Sequence, residues 1–119
     1  MIRLLPALFL FVVCSADAAS LTERTEAAML RVGVREDQSE KFQKLMDEHF
    51  NRATAMFRRE VRTAPDDIDK RAPRLLRSIS KDTLKDMSKV LDPDQMEAFK
   101  YALDLEDRRL MQNNGVHEP

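Results

Sequence analysis

The sequence predicts an all-α protein: four helices in one domain, forming an elongated hairpin. Three observations carry this. Apolar residues recur at steps of three and four along almost the whole chain beyond residue 19, the period of a helix with one buried stripe. No segment alternates apolar and polar as a half-buried strand does. Gly33, Pro65, Pro93 and Gly115 fall where the stripes break, which is where helices end or begin.

The first eighteen residues stand apart. Arg3 gives a short positive start, and Leu4 to Cys14 is an apolar run broken only by Pro6. Ala16-Asp17-Ala18 places small residues where a signal peptidase reads them, so a secretory signal peptide cleaved after Ala18 is expected. The run is too short for an ordinary membrane span, so no stable span is expected once the signal is cleaved. A retained anchor and a lipidated Cys14 are the alternatives, and Val13 is large for the position before a lipidated Cys. Cleavage leaves residues 19–112 as a single helical domain and 113–119 as a flexible C-terminal tail.

The elements follow in order. Ser20-Leu21-Thr22-Glu23 has the form of a capping box, in which a Ser oxygen accepts an orphan amide and a Glu reaches back. It opens a helix to about Val32, ended by Gly33. From about Glu36 the stripe Phe42, Leu45, Met46, His49/Phe50, Ala53, Met56, Phe57, Val61 marks a long helix that stops before Pro65, since the residue ahead of proline avoids the α region. Asp66, Asp67 and Asp69 suit the start of a third helix, with the stripe Ile68, Ala72, Leu75, Leu76, Ile79, Thr83, Met87, Val90. Pro73 either kinks it or begins it. The fourth opens at Leu91-Asp92-Pro93-Asp94-Gln95. Asp92 is the N-cap, Pro93 the first helical residue and Gln95 the second half of a capping box, with Leu91 and Met96 placed for a hydrophobic staple. Met96, Phe99, Leu103 and Leu110 continue it to Asn113-Asn114-Gly115.

Composition limits the chemistry. The whole chain has 20 Lys+Arg against 21 Asp+Glu, two Gly, one Cys and two His. That balance gives no global footprint for nucleic acid, and two Gly cannot build a phosphate-cradling loop. Cleavage would leave a mature chain with no Cys, and no Ser lies beside a His and an acid in a recognisable nucleophilic pattern. An enzyme is not expected, nor is a cofactor or a metal site: the Met residues are scattered, and His49 reads first as an interior or interface residue. Large aliphatic residues are sparse in the mature chain, so a single compact core looks thin, and a dimer is the natural remedy.

Charge is uneven. Residues 52–81 carry nine basic and four acidic side chains, net +5, while 19–51 is net −2 and 82–119 net −4. Arg52, Arg58, Arg59, Arg62, Arg71, Arg74 and Arg77 form the candidate protein-binding patch, since Arg forks onto carboxylates and sheds water readily. A solvated face paired with the acidic thirds is the alternative. Met46, Met56, Met87 and Met96 are the candidate apolar contacts, because Met adapts to many partners, and core filling is their alternative.

Two segments look like one device used twice. Val34-Arg35-Glu36-Asp37-Gln38 opens the long helix and Leu91-Asp92-Pro93-Asp94-Gln95 the last; each reads apolar, cap, two residues, Gln. Val34, Gln38, Leu91, Asp92, Pro93 and Gln95 resemble the LTxxQ motif of the Spy/CpxP family of small helical periplasmic proteins. Arg35 is a poor cap, and Val34 replaces Leu, which marks a diverged member. The resemblance implies a thin, cradle-shaped homodimer in the periplasm. It further implies an ATP-independent chaperone that holds non-native clients in envelope stress, or a CpxP-like regulator docking on an envelope sensor domain. A metal-sensing role is implied more weakly, because the ligand clusters of such relatives are missing here.

Overall fold

A computed structural model describes residues 20–117. The expected signal peptide, its cleavage site and residues 118–119 lie outside the described residues. Among those described there are four α-helices and no strand: α1 (Ser20–Val32), α2 (Glu36–Thr63), α3 (Ile68–Met87) and α4 (Pro93–Asn113), with a 3-10 turn (Pro65–Asp67) between α2 and α3.

Local sequence sets these limits. Gly33 takes φ +66° and ends α1, a conformation glycine adopts without a Cβ penalty. Pro65 converts the end of α2 into a single tight turn. Pro73 does not start α3: the helix runs through it from Ile68, with the ring buried in the second turn. Ser20, the first described residue, is already helical.

Side-chain partners fix the directions. Arg52 meets Asp82 and Glu60 meets Arg71, so α3 runs antiparallel to α2. Phe42 packs edge-on against Phe99 with centroids 5.7 Å apart, and His49 meets Asp107. α4 therefore runs parallel to the first half of α2. α1 lies antiparallel along α4, with the Gly33 carbonyl at Gln95 and Glu26 near Arg109.

Burial divides into two apolar clusters. The first joins Ala53, Met56 and Phe57 of α2, Ala72, Leu76 and Ile79 of α3, and Leu110, Met111 and Val116. The second joins Ala28 and Val32 of α1 to Met87, Leu91, Phe99, Ala102, Leu103 and Leu105, with Phe42, Leu45 and Met46 packed against it. Fully burying one such large side chain is worth about 1.5–3 kcal/mol, so Phe57 and Phe99 anchor one cluster each.

After Leu110 the chain packs back onto the first cluster. Gly115 takes φ +69°, the Val116 amide donates to the Met111 carbonyl at 2.9 Å, and Val116 is only 4% exposed. This is a helix stop in which the residue after glycine folds back onto the last turn. The His117 amide then donates to Asp69 at 2.9 Å, so the chain is tied down through residue 117.

Candidate functional site

Three polar features occupy the helical frame. The first is a clasp made by the repeated segment. Gln38 Oε1 accepts from the Arg35 amide at 3.0 Å, and Gln95 Oε1 accepts from the Asp92 amide at 2.8 Å. The two side-chain amides also bond each other reciprocally at 2.9 Å. Each spare amide hydrogen crosses to the other segment: Gln38 Nε2 donates to the Val90 carbonyl at 3.0 Å, Gln95 Nε2 to the Gly33 carbonyl at 2.9 Å. Every donor and acceptor of both amides is used. Arg35, which cannot cap, donates to Asp92 Oδ2 at 2.8 Å instead. That bond and its charge hold the guanidinium above its ordinary value. Leu91 is buried, with Val34 and Met96 packed on the same cluster. The motif residues are thus structural: they lock the starts of α2 and α4 together.

The second is a buried polar layer between the two apolar clusters. His49 is 1% exposed. Its Nδ1 lies 2.7 Å from Thr83 Oγ1 and its Nε2 2.8 Å from Asp107 Oδ1. Ser80 donates to the other Asp107 oxygen, and Thr83 also reaches the Ile79 carbonyl at 3.1 Å. With Nε2 protonated, the ring donates to Asp107 and accepts from Thr83. With both nitrogens protonated, it donates to both, and Thr83 passes its hydrogen to Ile79. Either state leaves no ring atom unpaired, so His49 is an interior residue with partners from α3 and α4.

The third is the basic region, the second half of α2 and the first half of α3. Its few carboxylates leave a surplus. Arg52 pairs with Asp82 at 3.1 Å, both more than half exposed, a geometry worth little in water. Arg71 donates to Glu60 Oε1 at 2.7 Å. The Arg71 hydrogen bond holds the buried Glu60 carboxyl below its ordinary value despite burial. Arg58, Arg59, Arg62, Lys70, Arg74, Arg77 and Lys81 are all exposed, and none makes an ion pair among the described residues.

The predicted arginines do not all line one groove. Arg74 and Arg77 line a groove between α3 and α4, together with Lys81 and Lys100, over Leu84 and Leu103. The groove has a volume of about 590 Å³, and none of Arg52, Arg58, Arg59 or Arg62 lines it. Those four sit on α2, where Phe50 and Val61 are 49% and 55% exposed. The methionines divide too. Met56 and Met87 are buried in the two clusters and present no surface to a partner in this fold; Met46 and Met96 are half-buried.

Sequence reasoning missed the groove's fourth cation, Lys100, which belongs to an acidic third of the chain. It also missed Asp107, Ser80 and Thr83 as one layer with His49. Thr83 and His49 each interrupt an apolar stripe, and two such polar residues on facing helices are the signal that finds the layer.

Comparison with protein-family models, with curated proteins and with solved structures finds no match for this chain. Among the described residues no helix is long and apolar enough to cross a membrane, and no three His, Cys, Asp or Glu side chains converge as a metal site would need.

Proposed function

We propose that the protein is a non-enzymatic, Spy-like holding chaperone of the periplasm that binds non-native protein chains without nucleotide. The observation that supports it is the set of exposed side chains on α2. Exposed apolar Phe50 and Val61 stand on the same helix as Arg58, Arg59 and Arg62, which have no ion-pair partners among the described residues. Apolar side chains attract any unfolding segment, and unpaired guanidinium groups add long-range attraction without fixed geometry. The two LTxxQ-like segments and the expected signal peptide support the same reading.

A homodimer belongs to this reading. Large aliphatic residues are sparse in the chain, so a second copy that completes a thin core is the natural remedy.

An unfolding client, followed by light scattering with equimolar secreted protein, tests the function. Suppression of scattering that weakens with salt is expected. Unchanged scattering at both low and high salt contradicts the reading. Capture of one stoichiometric partner, with no general client binding, replaces it with a regulator docking on an envelope sensor. Mass determination in solution tests the dimer, and a monomer at working concentration removes it.

A further inference from the structure

We propose that the groove between α3 and α4 is a docking site for an acidic amphipathic peptide segment, and that it sets which client segments the protein prefers. This rests on the reading of the protein as a binder of protein chains, and it assigns a surface separate from the exposed α2 side chains.

The groove arises from the packing. α3 packs chiefly on α2, and α4 chiefly on α1. Between α3 and α4 an open channel remains, floored by Leu84 and Leu103. Its volume lies in the range of ordinary binding sites. Arg74, Arg77 and Lys81 line it at steps of three and four, spanning about 10 Å along α3. Lys100 stands on the facing wall. Two carboxylates also line the groove: Asp104 lies 3.3 Å from Arg108 on the surface, and Asp107 is held by His49 and Ser80. The four cations have no ion-pair partner among the described residues.

Arrangement selects the ligand. A single phosphate or headgroup needs donors that converge on one point. These cations are strung in a row above an apolar floor. A row matches carboxylates repeated along a chain, and the floor matches apolar side chains between them. An extended segment alternating acidic and apolar residues presents both on opposite sides, at about 6.6–6.8 Å per pair of residues. Arg is suited to this, since its fork grips carboxylates and its stem covers apolar surface.

A short labelled peptide alternating Glu and Leu, titrated by fluorescence anisotropy, tests the proposal. The intact protein is expected to bind it more weakly as salt rises. The variant R74S/R77S/K81S should bind about ten-fold more weakly, whereas R58S/R59S/R62S should bind as the intact protein does. A peptide with Gln in place of every Glu should also lose binding. The proposal is overturned if R74S/R77S/K81S binds as tightly as the intact protein, or if the Gln peptide does. It is overturned as well if the intact protein ignores the Glu peptide but binds phosphatidylglycerol vesicles. The client assay separates the two readings. Scattering suppressed by a protein that does not bind the peptide removes the groove and keeps the chaperone. Peptide captured through the groove by a protein that suppresses no scattering does the reverse.

Discussion

The two ends of α2 treat their polar groups in opposite ways. At its start, Gln38 and Gln95 use every donor and acceptor they have, and even Arg35 finds Asp92. Toward its end, and along α3, seven cations stand exposed without a carboxylate partner among the described residues. Saturated polar groups fix a geometry and have nothing left to offer a partner. Unpaired charge contributes almost nothing to the fold, and it remains available for binding. On the proposed reading, the difference separates residues that hold this protein together from residues left free to meet a partner.

Substitutions can break that division, and the largest effect belongs to the layer between the clusters. His49→Ala removes a buried ring and strands Asp107 and Thr83, so urea unfolding should show a loss of about 3 kcal/mol or more. A loss under about 1 kcal/mol would mean that the layer is not structural. In the clasp, Gln38→Ala and Gln95→Ala should each cost about 1–2 kcal/mol. The double variant should lose less than the sum, since each single change already breaks the shared bonds. Strict additivity in thermal unfolding would show that the two amides do not meet. Asp92→Ala should cost about 1 kcal/mol through the weakened helix start, seen as a lower Tm.

Acid provides a subtler probe. Arg71 holds Glu60 below its ordinary 4.5. A carboxyl depressed in the folded state contributes stability above its unfolded value, and that contribution is lost as pH falls through the folded one. Stability should therefore decline on acidification below about pH 4.5, and Arg71→Ala should flatten that decline. An identical pH profile for the variant would remove the pair from the account. The smallest stability effect is expected for R58S/R59S/R62S, within about 0.5 kcal/mol for exposed, unpaired side chains, together with weaker client binding. A large drop in Tm would place these arginines among the structural residues.

Much of the fold was legible in the chain because its signals are local. Gly33, Pro65 and Asp92-Pro93 each act on their own backbone, so three helix limits could be read directly. The repeated segment carried more, since its spacing of 57 positions is also the register in which α4 lies along α2. What escaped was tertiary. Asp107 and Ser80 look like solvated residues until α4 and α3 bring them to His49. Val116 looks like a loose end until the turn at Gly115 returns it to the core. The basic third reads as one stretch in sequence, yet α2 carries part of it while Arg74 and Arg77 of α3 line a groove whose other wall comes from an acidic stretch.

The account's central claim is that the unpaired cations bind and the saturated clasp does not. Suppression of client light scattering, compared at one temperature below every variant's Tm, tests it most directly. The intact protein and Gln95→Ala should suppress scattering equally, and the variant lacking Arg58, Arg59, Arg62, Arg74, Arg77 and Lys81 should not suppress it. Full suppression by that six-fold Ser variant would contradict the claim.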